Sequence, residues 1–282
     1  MTRRFERRVK ITILVDDQAA AGLNAEHGFS LWIETARGRI LFDTGAGGTL
    51  VSNAAALGAD LGLAGAIVLS HGHYDHTGGL AQALGRAPQA HVYCHPAIAR
   101  PRWSLRGGAP KQAQMTADSL AALRDLPAHQ LHWTEKPAAP PGPAAGITGF
   151  IPRETDFEDT GGPFFLDAEG RRADPLEDDQ ALWLETEEGL VVCAGCCHAG
   201  IVNTLQYILR LNPGSKIRAV IGGFHLLHES GDRLRRTAEF LRTLRLDLVV
   251  PCHCTGKEAV RALAAGLDAR VSAGAAGSDY VF

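Results

Sequence analysis

The sequence predicts an α+β fold in which two mixed β-sheets pack face to face and helices cover their outer faces. Three observations predict it. Short apolar runs of strand length recur in both halves of the chain. Each half carries a hairpin signal, at 29–42 and again at 181–194. Helical segments follow the strands in both halves, so each sheet has a cover of its own.

Each element has its own warrant. Residues 9–15 are mostly β-branched and read as a strand. Residues 29–35 and 39–42 read as a hairpin turning at Ala36-Arg37-Gly38. Gly47 and Gly48 lead into a helix over 49–57, and a short buried strand at 66–70 delivers the chain to His71. A helix is expected over 78–84 and a strand over 91–94. Between 96 and 151 the periodicity weakens, Pro and Gly accumulate, and one helix at 115–124 stands alone. That stretch is expected to be a loop-rich insertion or lid on a single domain spanning 1–282. Beyond it, 181–186 and 190–194 pair across Glu187-Glu188-Gly189. A helix over 203–211, a strand over 219–221 ending at Gly222-Gly223, an amphipathic helix over 233–244, a strand over 246–250 and a closing helix over 257–267 complete the chain.

Composition narrows the function classes. With 282 residues, 45% hydrophobic and 21% charged, the chain is long enough for a sizeable core. A formal charge of −3 offers no basic surface for nucleic acid or an anionic membrane. A small anionic substrate remains compatible, because a metal site supplies local positive charge that the net sum hides. The apolar run at 11–15 stops at Asp16-Asp17, too short for a signal-peptide core or a membrane span, so a cytoplasmic location is expected. Cysteines at 94, 193, 196, 197, 252 and 254 are not expected to form a disulfide framework in that compartment. The oligomeric state is not encoded in any pattern of the sequence.

The chemistry concentrates in Ser70-His71-Gly72-His73-Tyr74-Asp75-His76-Thr77-Gly78-Gly79. Alternate residues of an extended segment point the same way, so His71 and His73 can share one metal, and Asp75 and His76 can turn to a second. Imidazole and carboxylate suit zinc, iron or manganese. Two later loops, Gly195-Cys196-Cys197-His198 and Pro251-Cys252-His253-Cys254, also follow apolar strands and carry candidate ligands. Cys193-x-x-Cys196 with Cys252-x-Cys254 would be an alternative, structural zinc site, although the second spacing is unusual for one.

The His71-x-His73-x-Asp75-His76 pattern closely resembles the signature of the metallo-β-lactamase superfamily, and Phe42-Asp43-Thr44-Gly45 resembles its first motif. Glu26-His27-Gly28-Phe29-Ser30, Ile151-Pro152-Arg153-Glu154, Asp178-Asp179-Gln180, Gly222-Gly223-Phe224-His225-Leu226 and the two cysteine loops resemble one branch of it. That branch is described as similar to the 7,8-dihydropterin-6-methyl-4-(β-D-ribofuranosyl)aminobenzene 5′-phosphate synthase of methanopterin assembly. The resemblance implies an αββα sandwich and two divalent metal ions, zinc first. It implies ligands among His71, His73, Asp75, His76, His198 and His253, with Asp43 bracing the metal loop. Two departures stand out. Cys196 occupies the place where many members have an aspartate that bridges the metals; its thiolate either joins the centre or leaves the bridge to water. His198 substitutes for a histidine that elsewhere precedes the hairpin.

His225 follows a strand and a Gly-Gly pair, where a histidine outside the ligand set can protonate a leaving oxygen or hold a phosphate. Asp75 and His225 are therefore the expected catalytic pair. Arg153 either meets a substrate phosphate or pairs with Glu154 or Asp156, and His27 is a further candidate for substrate binding. The expected reaction is hydrolysis by a metal-activated hydroxide, on a phosphorylated small molecule or phosphodiester first and a lactone or other ester second. The alternatives are a synthase-like transfer from a phosphoribosyl donor, with the metals on the departing pyrophosphate, and a metal-binding sensor with little turnover.

Overall fold

A computed structural model describes residues 5, 6, 8–228 and 231–282. Sixteen strands and seven α-helices occur among them, in the order β1 (Val9–Val15), β2 (Ser30–Thr35), β3 (Gly38–Phe42), α1 (Leu50–Ala56), β4 (Ala66–Val68), α2 (Tyr74–Thr77), α3 (Leu80–Arg86), β5 (His91–Cys94), β6 (Trp103–Ser104), β7 (Lys111–Gln112), α4 (Ala117–Arg124), β8 (Leu131–Trp133), β9 (Ala145–Ile147), β10 (Phe164–Phe165), β11 (Ala181–Thr186), β12 (Gly189–Ala194), α5 (Ile201–Leu211), β13 (Ile217–Gly223), α6 (Gly231–Thr243), β14 (Leu248–Cys252), α7 (Lys257–Gly266), β15 (Arg270–Val271) and β16 (Asp279–Val281).

They form a seven-stranded sheet, β16-β1-β2-β3-β4-β5-β8, and a six-stranded sheet, β15-β14-β13-β12-β11-β9. Both are mixed. The alternation of side chains along each strand divides the core. Ile11, Ile13, Leu31, Ile33, Ile40 and Phe42 of the first sheet meet Leu182, Leu184, Val191, Cys193, Ala219, Ile221 and Val250 of the second between the layers. The intervening residues turn outward. Trp32, Leu41 and Ile67 pack beneath α1 and α3, while Trp183, Val192, Val220 and Val249 pack beneath α5, α6 and α7. Strands buried on both faces read as continuous apolar runs, which is how 190–194 appears in the sequence, and 11–15 apart from Thr12. The layering is thus helix, sheet, sheet, helix.

One expectation is corrected here. The stretch 96–151 is not set apart from the sandwich. Its β8 is the edge strand of the first sheet and its β9 the edge strand of the second. Only β6 and β7 stand off, joined by β10 from beyond the predicted boundary in a separate three-stranded sheet. Strands of two or three residues have too few positions for alternation to show, so sequence periodicity cannot find them.

β1, β3 and β4 run in one direction, because β1 and β3 are each antiparallel to β2 and β4 is parallel to β3. β12, β13 and β14 are mutually parallel. The loops after these six strands carry Asp16 and Asp17, Asp43, His71, Cys196 and His198, His225, and His253 and Cys254.

A candidate metal centre at the strand ends

The loop after β4 places His71 and His73 on one side, with His71 Nε2 3.0 Å from His73 Nδ1. From the opposite sheet the loop after β12 brings His198, whose ring centroid lies 4.6 Å from that of His71 and 4.8 Å from that of His73. One nitrogen from each ring falls within 4.8 Å of the others. The short helix α2 then turns Asp75 and His76 toward His253, and these three form a second cluster of the same tightness. His253 Nε2 lies 3.3 Å from Asp75 Oδ2. Cys196 lies between the clusters: its sulfur is 3.1 Å from His76 Nε2, and it groups with His71 and His76 on one side and with His253 and Cys254 on the other.

The outer nitrogens are engaged too. His76 Nδ1 donates to Asp43 Oδ2 at 2.7 Å. The Asp43 carboxylate also accepts the Ser70 N–H and the Ser70 hydroxyl, each at 2.7 Å. That hydroxyl in turn accepts from His71 Nδ1 at 2.9 Å. His198 Nδ1 donates to the Thr160 carbonyl at 2.7 Å, and His253 Nδ1 donates to Asp17 Oδ1 at 2.6 Å. Such outer contacts fix tautomer and ring orientation, leaving the inward nitrogen as a lone-pair donor. His198 Nε2 is buried with no protein partner.

Burial disfavours charge on these rings. It holds His71 and His198 well below the usual histidine range and His73 at about 3. His253 behaves oppositely: burial opposes its charge, but the hydrogen bonds to Asp17 and Asp75 prevail and raise it. Asp75 is pushed down, because contact with His253 and the nearby His76 outweighs its own burial. Among the described residues, four of the six non-glycine residues with positive φ lie here, Asp43 (57°), Cys197 (54°), His225 (49°) and His253 (46°). Conformations of that kind persist where the surroundings over-determine them.

Behind the loop, Arg102 is fully buried. It donates to Asp174 at 2.7 Å and to both oxygens of Asp178, at 2.6 and 2.8 Å. Asp178 also accepts the Gly72 N–H at 2.8 Å, so this ion pair holds the backbone between His71 and His73. Asp179 takes the Ala199 N–H at 2.7 Å and fixes the turn beyond His198.

The remaining predicted residues divide. His225 packs its ring 4.7 Å from that of His198, beside the first cluster. Burial, with Arg233, His253 and Arg106 nearby, holds it at about 3, so the unliganded ring is neutral. It can donate a hydrogen bond but has no spare proton to give, which weighs against the general-acid part of the expectation. His27 lies at the rim of the second cluster, with Nδ1 3.2 Å from Asp17 and Nε2 3.3 Å from Asp75. Arg153 is not brought into the cluster: it is exposed and donates to the Leu176 carbonyl at 3.1 Å. Neither expected acid pairs with it, since Glu154 meets Arg210 and Asp156 meets Arg236. The four cysteines of the structural-zinc alternative do not converge, because Cys193 and Cys252 lie in the apolar core between the sheets.

Sequence reasoning missed Asp17, Thr160, Phe164 and Arg106, and it weighed Cys254 only for a structural zinc site. Phe164 covers the first cluster, with its ring 4.7 Å from that of His73 and 5.4 Å from that of His198. Arg106 donates to the Gly161 carbonyl at 3.1 Å, and Gly161 lies so close against His225 that a Cβ there would come within 2.2 Å of Nδ1. Asp17 was visible as one of two acids ending an apolar strand; the others left no signal.

The fold and this edge of the sandwich define a class, and comparison with known proteins agrees. The profile described as the Metallo-beta-lactamase superfamily matches residues 23–253. The chain belongs to that superfamily. It is 30% identical over 271 residues to the 7,8-dihydropterin-6-methyl-4-(beta-D-ribofuranosyl)-aminobenzene-5′-phosphate synthase of Methanocaldococcus jannaschii, covering 89% of each chain. An uncharacterized protein of the same organism is 32% identical over 256 residues, covering 90% of this chain and 93% of its own. Among solved structures, Tm1679, described as a metal-dependent hydrolase of the beta-lactamase superfamily, superposes with a TM-score of 0.80 at 30% identity, covering 96% of this chain and 98% of its own.

Proposed function

We propose that the chain is a metal-dependent hydrolase acting on a phosphorylated small molecule or phosphodiester. In this reading His71, His73 and His198 hold one divalent cation, and Asp75, His76 and His253 hold a second, with Cys196 between them. The observation that carries it is the pair of adjacent donor clusters, four of whose five histidines have the outward nitrogen engaged. The residues fit such ions: burial keeps the rings of His71, His73 and His198 neutral, and His198 Nε2 is a buried donor atom with nothing in the protein to meet. Two divalent cations, zinc first and iron or manganese after it, would when held by these residues supply Lewis acidity and a water of near-neutral pKa.

The chain's own side chains do the rest. Asp75 stays ionised beside the reacting atoms, where it can accept the proton of the attacking water. Phe164 excludes bulk solvent above the first cluster. His225 donates a hydrogen bond to a substrate oxygen, and Arg106 at the mouth favours an anion, the role first expected of Arg153. Solution in the cytoplasm and a small anionic partner accord with this; no helix among the described residues is long and apolar enough to cross a membrane.

A second reading, transfer from a phosphoribosyl donor, is favoured by the likeness to the M. jannaschii synthase. The two readings separate in one experiment. Metal-replete protein is assayed on phosphodiesters, phosphomonoesters and lactones, and in parallel for pyrophosphate release from phosphoribosyl diphosphate with an aromatic acceptor. Ester cleavage that is lost on chelation and restored by zinc is the expected result. Pyrophosphate release without ester cleavage overturns hydrolysis in favour of the synthase, and binding of metal with neither activity favours the sensor.

A further inference from the structure

We propose that Cys254 is a metal ligand, and that with Cys196 it gives the second half of the centre a sulfur-rich donor set selective for zinc or ferrous iron over manganese and magnesium. This rests on the two-cation reading above.

The six cysteines divide by surroundings. Cys94, Cys193, Cys197 and Cys252 each belong to one of the three apolar clusters of the core. There a cysteine acts as a small hydrophobe. Cys196 and Cys254 belong to none of them. Their sulfurs instead lie within 4.8 Å of one another and of a His253 nitrogen. They arrive independently, from the loops after β12 and β14. All six cysteines are free thiols.

The backbone is arranged to bring Cys254 inward. Consecutive residues of an extended chain point to opposite sides, so His253 and Cys254 cannot both face the centre without a break in the strand conformation. His253 supplies that break with φ of 46°, and a single turn of 3-10 helix follows over His253–Thr255. Across the gap, Gly223 leaves the volume the sulfur fills: a Cβ there would lie 2.6 Å from Cys254 Sγ. The protein contacts of the thiol are those of a weak sulfur donor and acceptor, with the Cys196 side chain, the His225 backbone and, at 3.8 Å, the Cys196 carbonyl.

Thiolates are soft ligands, favouring zinc and iron over the oxygen-seeking manganese and magnesium. One such sulfur between the two clusters, Cys196, would tilt the preference; a second on the same side would fix it. Binding displaces one proton from each coordinating thiol to solvent and involves no oxidation.

Cobalt(II) reads the proposal directly, because thiolate coordination adds a sulfur-to-metal charge-transfer band in the near ultraviolet. The full chain, Cys254→Ser, Cys196→Ser and the double variant are loaded with cobalt, and cobalt content and circular dichroism are measured on each. The band is expected to weaken in each single variant and vanish in the double. Loss of an outer-shell partner alone costs about 10–100-fold in metal affinity, so Cys254→Ser is expected to lower zinc affinity at least that much while manganese affinity changes little. An unaltered band and unaltered zinc affinity in folded Cys254→Ser overturn the proposal. Should that variant misfold, alkylation of the unaltered chain decides. Zinc slowing the reaction of Cys254 with iodoacetamide supports coordination, and no protection overturns it. Failure of the parent reading looks different: folded chain that takes up no cobalt at all.

Discussion

His225 illustrates how the surroundings of a single ring decide its chemistry. Its close neighbours include His198 and Gly161, and two arginines bear on it electrostatically. A histidine whose folded pKa is depressed to about 3 is neutral above that value and charged only below it. Between pH 5 and 8 it therefore contributes no inflection to kcat/KM of the free enzyme. His225→Ala is expected to slow nitrophenyl and alkyl esters by similar factors, because a neutral donor helps both. Metal content is expected to stay unchanged. A slowing confined to the alkyl esters, or an acid limb that disappears in the variant, would restore the general-acid role. At this scale the sequence was informative where donor type and spacing are local, as in the run from His71 to His76. It was silent where a partner comes from far along the chain. Nothing near Thr160 announces that its carbonyl orients His198 from 38 residues away. Arg153 misled because a cation in a motif looks available until its hydrogen bonds are known.

Among the elements, the loop after β4 depends on support from behind. Arg102, Asp174 and Asp178 form a buried ionic group, with Gly72 tied to it through Asp178. Removing one partner of a buried pair leaves uncompensated charge and typically costs about 3–5 kcal/mol. Arg102→Met is expected to lose stability of that order, read as a drop in Tm, and to weaken metal binding by letting the loop shift. A variant as stable as the parent would show that the carboxylates find other partners. The strands of this scaffold were legible because most are buried on both faces and strongly apolar; β1, β5 and β11 begin and end where the sequence places them. The pairs β6, β7 and β10 were not, since two residues carry no period. The cover over the centre therefore escaped prediction in its most important member, Phe164.

For the molecule as a whole, core and centre are separable. The residues packed between the sheets are aliphatic and aromatic, with two cysteines, and neither Asp75 nor His253 is among them. Asp75→Ala and His253→Ala are each expected to abolish turnover while circular dichroism and cooperative unfolding are retained. Near-parental activity in either variant would mean that the second cluster has been assigned wrongly.

The tie between the first strand and the last loop of the centre carries one more consequence. His253 receives its backbone partner from Asp16, 237 positions earlier, and its ring partner from Asp17, 236 positions earlier. Contacts so distant in the chain close a very large loop and form late. On the ribosome the His71–His76 run emerges long before His253 exists. A growing chain can expose three histidines and an aspartate, but it cannot yet enclose a second ion. On the two-cation reading, choice of metal at that position would be deferred until nearly all the residues described here have been synthesised, when the finished pocket and not the nascent peptide would do the selecting.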